Sequence, residues 1–277
     1  MQKKLFTILS VFSILLFFSC KKGEYKPNSG KTPPSEKLKL TCRIVEPSTW
    51  YGRETPDQLV LYFDGSAAKL EDVGKMPSGS ISIIPEIAGS WIWENDSSLI
   101  FQPTENWKLD TKYKITLGQN LFADNVSVKA ELSFTTEEFT AKLRDTNFAV
   151  DPEDPNIKKV YTTISTSNPM QKEEIEKFIT LTLESKGSKN TVKTNIGFTV
   201  SFNKSATEAY IASDNIPVPP KTSELSISLK AGIKSADGSA ASKQADSDTV
   251  EVPGLSDYVR INNISHNLVK NNDNNLY

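Results

Sequence analysis

The residues able to do chemistry are few in this 277-residue chain: two cysteines, Cys20 and Cys42, and one histidine, His266, close to the C-terminal end. One histidine excludes a histidine cluster and gives no basis for a histidine-driven triad. No GxGxxG or GxxxxGK[ST] phosphate cradle occurs. Asp151, Glu153 and Asp154 come closest to an acid cluster, but Pro152 and Pro155 alternate with them. That is the composition of a solvated turn rather than of a paired acid or a calcium loop. The residues therefore predict no catalytic group, no metal site and no cofactor, and leave the two thiols to be explained.

Cys42 lies in Leu38-Lys39-Leu40-Thr41-Cys42-Arg43-Ile44-Val45. Alternation along an extended chain puts it on the face of Leu38, Leu40 and Ile44, which predicts a small buried hydrophobe and not a reactive thiol. Cys20 has a different setting. Lys3 and Lys4 precede an apolar run, Leu5 to Phe18, broken only by Thr7, Ser10 and Ser13 and closed by Ser19. The run is short for a membrane span and has the layout of a secretory signal peptide over residues 1–19. Leu16-Phe17-Phe18-Ser19-Cys20 resembles a bacterial lipobox, although its phenylalanines are bulkier than the usual choice. The resemblance implies that Cys20 is the lipid attachment residue. Its thiol receives a diacylglycerol, and the amine freed by cleavage is acylated. At about 0.8 kcal/mol per buried CH₂, several acyl chains anchor firmly. A lipidated Cys20 leaves Cys42 without a disulfide partner. Lys21, where an Asp would signal retention, implies by the sorting rules of such lipoproteins an outer-membrane anchor facing the periplasm.

Residues 20–36 read as a tether. Pro27, Pro33, Pro34, Gly23, Gly30 and several lysines sit among almost no apolar residues, so the segment cannot bury enough surface to fold. The whole chain carries 32 basic and 34 acidic residues. Loss of Lys3 and Lys4 with the signal makes the balance slightly more acidic. Such mild charge predicts no nucleic-acid surface, and nothing in the sequence calls for a small-molecule substrate.

The elements that position these residues read as short strands. In the first unit, residues 37–136, the expected strands are Leu38–Val45, Leu59–Phe63, Ser80–Pro85, Ser90–Trp93, Leu99–Gln102, Tyr113–Leu117 and Val128–Thr135. Trp91 and Trp93 share one face, expected inward against Tyr113 and Ile115. In the second unit, residues 137–254, strands are expected at Ala141–Val150, Lys158–Thr166, Ile179–Glu184, Ile196–Phe202, Ala209–Ala212, Glu224–Leu229 and Thr249–Val252. A short helix is expected over Gln171–Phe178. Gly, Pro, Asn and Asp between strands at this spacing predict an all-β chain of two tandem antiparallel sandwiches. The units also echo one another at a distance near a hundred residues. Tyr62-Phe63-Asp64-Gly65 parallels Thr163-Ile164-Ser165-Thr166. Phe101-Gln102-Pro103 followed by Tyr113–Leu117 parallels Tyr210-Ile211-Ala212 followed by Leu225–Leu229.

The stretch Ile83, Pro85, Ile87, Gly89, Trp91, Trp93, then Leu99, Phe101, Pro103, then Trp107, then Thr111, Tyr113, Ile115, Leu117 resembles the first macroglobulin-like domain of bacterial alpha-2-macroglobulins. Val60–Asp64, Leu70–Gly74 and Leu132–Thr136 share the likeness. The second unit, with its loop Ala231–Gly238, resembles the family's second macroglobulin-like domain and also generic bacterial Ig-like domains. In the family a third domain begins near residue 255, so 255–277, with a strand expected from Asp257, reads as the start of a truncated third domain. The family's endopeptidase inhibitors trap proteases through a Cys–Gln thioester. Here Cys20 is followed by Lys-Lys-Gly and Cys42 by Arg-Ile-Val, so the resemblance implies a member without thioester or bait region. The expected role is a stalk or docking module whose partners are the membrane and a chain carrying the remaining macroglobulin domains, or a protease. The alternative is a stand-alone Ig-like lipoprotein acting as an envelope spacer or adhesion element.

Overall fold

The fold is that of a computed structural model, which describes residues 36–128, 131–186 and 191–258. The signal segment, Cys20, the tether up to residue 35, His266 and residues 259–277 lie outside the described residues. One compact unit begins at Lys37, and within it two separate hydrophobic cores have formed.

The first core lies between two antiparallel sheets. Its strands are β1 (Leu38–Leu40), β2 (Cys42–Val45), β3 (Leu59–Phe63), β4 (Ile81–Ile84), β5 (Gly89–Asn95), β6 (Ser98–Pro103), β7 (Lys112–Leu117), β8 (Val126–Val128) and β9 (Glu131–Thr135). One sheet has the order β2-β3-β6-β5 and the other β4-β7-β9, while β1 pairs in parallel with β8. Alternation drives the inward set: Leu59, Leu61 and Phe63 from β3 meet Tyr113, Ile115 and Leu117 from β7. An aromatic chain joins the sheets. Trp107 packs edge-on to Phe101, Tyr113 and Phe134, with ring centroids 5.9, 5.0 and 5.5 Å away. Its indole N–H donates to the Asp57 carbonyl at 2.8 Å. Trp93 is fully buried beside Phe63. Trp91 is only half-buried and leans on Phe101.

The second core repeats this wiring. Its strands are β10 (Ala141–Val150), β11 (Lys158–Thr166), β12 (Ile179–Lys186), β13 (Thr191–Ile196), β14 (Phe198–Phe202), β15 (Glu208–Ser213), β16 (Ser223–Leu229) and β17 (Asp246–Val252). The sheets run β10-β11-β15-β14 and β13-β12-β16-β17. Strand for strand, β10, β11, β14 and β15 take the places of β2, β3, β5 and β6. Likewise β12, β16 and β17 take those of β4, β7 and β9, and β13 is an added edge. The hydrogen bonds at the strand ends repeat too. Thr41 N–H donates to Asp64 Oδ1 and Asp64 N–H to the Thr41 carbonyl. Thr140 N–H donates to Ser167 Oγ and Ser167 N–H to the Thr140 carbonyl. Phe63 N–H to the Ser97 carbonyl is matched by Thr166 N–H to the Thr207 carbonyl. Because backbone groups leaving a sheet must find partners, the same bonds at the same corners mark one topology used twice.

Several expected elements change. The strand Leu38–Val45 breaks at Thr41, whose N–H and hydroxyl both bond the Asp64 carboxylate, so the chain passes from β8 to β3 as partner. Leu38 is consequently 54% exposed rather than inward. Val128–Thr135 separates into β8 and β9. Ile196–Phe202 is two strands turning at Gly197, where a Cβ would meet the Asp214 carboxylate at 2.2 Å. The helix over Gln171–Phe178 shrinks to one 3-10 turn, Ile175–Phe178, entered through Glu174 at φ 65°. Asp257 and Tyr258, the first residues of the strand expected there, belong instead to a helical turn, α1 (Leu255–Tyr258), and the rest of that expected strand lies outside the described residues. Asp257 folds back to accept from Gly254 N–H and Thr222 Oγ1 at 2.8 and 2.6 Å, which closes a turn where a strand needs extension.

Candidate interaction surfaces

The residues singled out for chemistry are held in plain structural roles. Cys42 is half-buried against the first core, and burial, then the nearby Asp64 carboxylate, push its thiol up to about 12. A thiol that stays protonated is a poor nucleophile. Its counterpart on β10 is Ala141, likewise inward, so a small apolar group suffices there. Asp151 caps its own turn: Oδ1 accepts from Glu153 and Asp154 N–H at 2.9 and 3.1 Å. These bonds hold its carboxyl below the usual range. Among the described residues no three His, Cys, Asp or Glu side chains converge as for a metal ion.

What the first sandwich presents outward is more informative. Val45 pairs with Val60, Val60 with Ile100, and Ile100 with Ile92. One register row crosses all four strands with β-branched side chains on the outer face. Its ends, Val45 and Ile92, are 39% and 41% exposed. The next row carries Tyr62, 40% exposed, under the Arg43 guanidinium at 5.3 Å. By the shared wiring, the matching row of the second sandwich is Arg144, Thr163, Tyr210 and Ser201. It is polar, and the Tyr210 hydroxyl donates to Glu208 at 2.5 Å. The exposed ends flank a half-buried Val60 and a buried Ile100, 9% exposed, and exposed apolar groups joined in one row mark a contact surface more often than a solvated face. The row was not singled out from the sequence. Its signal was there, in the unbroken runs Leu59-Val60-Leu61 and Leu99-Ile100-Phe101, which belong to strands covered on both faces.

A second surface feature lies where the sandwiches meet. Asn168 Nδ2 donates to the Thr49 carbonyl at 2.7 Å, and Thr49 N–H donates to Glu137 Oε2 at 2.7 Å. Lys243 bridges Asp110 and Glu138 at 2.7 and 3.1 Å. Leu109 leaves the first sandwich to pack in the second core. Between these ties is a cleft of about 200 Å³, walled in part by Tyr51, Trp107 and Asp237.

No protein-family model matches the chain. Among curated proteins it is similar to an alpha-2-macroglobulin homolog of Yersinia pestis, 27% identical over 255 residues covering 90% of this chain and 13% of that protein. An alpha-2-macroglobulin of Pasteurella multocida is 28% identical over 172 residues, covering 59% and 9%. One of Rickettsia conorii is 27% identical over 214 residues, covering 71% and 11%. This chain is thus related to bacterial alpha-2-macroglobulins and spans at most 13% of the length of these relatives. Among solved structures, the BSP domain of a biofilm associated protein aligns over 85% of this chain and 62% of its own, at TM-score 0.20 and 7% identity.

Proposed function

We propose that this chain is a lipid-anchored docking module of the alpha-2-macroglobulin kind. Cys20 holds it at the outer membrane, facing the periplasm, and residues 20–36 give it reach. The two sandwiches, over residues 37–136 and 137–254, form a stalk that receives macroglobulin-like domains of the sort its relatives carry. The observation behind the reading is the outward row Val45–Val60–Ile100–Ile92, apolar where the second sandwich is polar. Covering such a row removes apolar surface from water at about 25 cal/mol per Å². The role is non-enzymatic, and it is not capture. Covalent trapping requires an activated Cys–Gln pair, whereas Cys20 serves the anchor and Cys42 has no Gln three residues on. Cys42 is also held protonated at neutral pH.

Two experiments test this. Replacing Cys20 with Ser is expected to move the protein from the membrane to the soluble fraction, and equal membrane partitioning of variant and wild type would refute the anchor. Incubation with excess trypsin, followed by denaturing electrophoresis and mass spectrometry, is expected to show no adduct. A protease-sized adduct that small amines abolish would replace docking with capture.

A further inference from the structure

The cleft between the sandwiches has a composition that selects its ligand. Its apolar part is Trp107 and Leu109, 4% and 5% exposed. Tyr51 stands at the wall, 43% exposed, on the loop from β2 to β3, with the Trp50 ring 6.4 Å from its own. The polar part is Thr49, Asn106, Asn168, Ser235 and Asp237, with one carboxylate among them. Asn168 donates one amide N–H to the Thr49 carbonyl and keeps its oxygen and its second N–H. Ser235 donates its hydroxyl to Asp237 Oδ1 at 2.6 Å and accepts from Ala240 N–H at 3.1 Å. Ser239 N–H binds the same Oδ1 at 3.1 Å, which fixes the Asp237 carboxylate in place. Burial disfavours the charge of Asp237, but these serine bonds outweigh it and lower its pKa, so it is an anion at neutral pH. Among the described residues no lysine or arginine lines the cleft.

A fixed carboxylate, the exposed Tyr51 ring and the lack of a lysine or arginine among the described lining residues together suit a cation with a flat apolar face. A guanidinium stacks on aromatic rings and donates in a fork to a carboxylate, whereas an ammonium is a compact, strongly hydrated point charge. The aliphatic stem of an arginine also covers apolar wall such as Leu109 while its head stays among acceptors. We propose that the cleft is a socket for an arginine side chain presented by a partner polypeptide. The inference takes its biological meaning from the docking reading, but the chemistry of the socket stands or falls on its own.

The test uses the full chain with Cys20→Ser and Nα-acetyl-arginine amide as probe, followed by two-dimensional NMR. Saturable shifts are expected at Tyr51, Trp107 and Asp237. The lysine analogue should bind several-fold more weakly, and the citrulline analogue, which matches the shape without the charge, should not bind. Asp237→Asn should weaken arginine binding about tenfold or more, the size of a lost charge-assisted hydrogen bond. Asn can still accept from Ser235 and Ser239. Tyr51→Ala, on an exposed loop, should weaken binding with the denaturation midpoint unchanged. Absence of saturable arginine binding, equal binding of citrulline, or binding indifferent to both substitutions would overturn the socket. Arginine binding in a chain that contacts no macroglobulin-like partner would keep the socket and remove the docking reading. The reverse result would keep docking and remove the socket.

Discussion

Val45, Val60, Ile100 and Ile92 on the first sandwich occupy the register positions of Arg144, Thr163, Tyr210 and Ser201 on the second. Inside, the same comparison pairs Cys42 with Ala141, Trp93 with Phe202 and Leu99 with Ala209. These three inward pairs stay apolar while differing in size, because each core must be filled to close packing, whereas inward Leu59 and Phe63 are matched by the buried Thr162 and Thr166. The outward positions change character altogether. Core residues therefore record the shared fold, and the outer face records what each unit meets. The shared strand order does not by itself require this row to be apolar, since its counterpart is polar, which is why it carries the functional reading.

The interior half of this comparison is open to the largest perturbation. Trp93 is fully buried, and Trp93→Ala is expected to cost about 3–5 kcal/mol. Phe202, half-buried at the matching position, should cost about 1–2 kcal/mol as Phe202→Ala. Trp91→Ala belongs with the smaller class, since Trp91 is also half-buried. Urea midpoints at constant slope measure all three. Equal losses at Trp93 and Phe202 would mean that the two cores are loaded alike. Trp93→Phe is a useful control. Among the described residues the buried indole N–H of Trp93 has no partner, so removing it takes away a donor that costs about 1–3 kcal/mol to leave unsatisfied.

A smaller effect separates the two strand-end clasps. In the first, Thr41 donates to a carboxylate; in the second, Thr140 donates to the neutral Ser167 hydroxyl. The side-chain and then the backbone bond from Thr41 hold Asp64 below its ordinary 3.8. A depressed folded-state pKa contributes stability that is present above the unfolded value and lost as pH falls through the folded one. The Thr41 amide resonance should accordingly titrate with a midpoint below 3.8, while that of Thr140 stays flat with respect to its clasp. Asp64→Asn should abolish the titration. A Thr41 midpoint at or above 3.8 would contradict the assigned cause.

Much of the fold was legible because alternation and turn residues are local signals. Ala141–Val150 and Lys158–Thr166 occupy the residues the pattern predicts. The repeat parallels drawn from Tyr62-Phe63 and from Tyr113–Leu117 fall on equivalent strands, β3 with β11 and β7 with β16. The departures have non-local causes. Thr41 breaks its strand because a carboxylate 23 residues away takes its N–H. Thr191–Ile196 escaped notice because an edge strand exposed on nearly every residue has no apolar alternation to show. Trp107, which falls in none of the expected strands, turns out to be the hub of the aromatic packing, a role set by three partners that no local pattern brings together. The cleft was invisible for the same reason. Its Tyr51, Trp107 and Asp237 come from three distant segments.

The most direct test of the account is site-specific photo-crosslinking in intact cells, with a photoreactive side chain at Ile92 or at its counterpart Ser201. Both positions are outward, on corresponding strands, and neither is needed for packing of its core. The docking reading predicts that Ile92 crosslinks to a polypeptide identified by mass spectrometry as carrying macroglobulin-like domains, and that Ser201 does not. Crosslinks of equal yield from both positions, or none from Ile92 where Ser201 captures a partner, would contradict it.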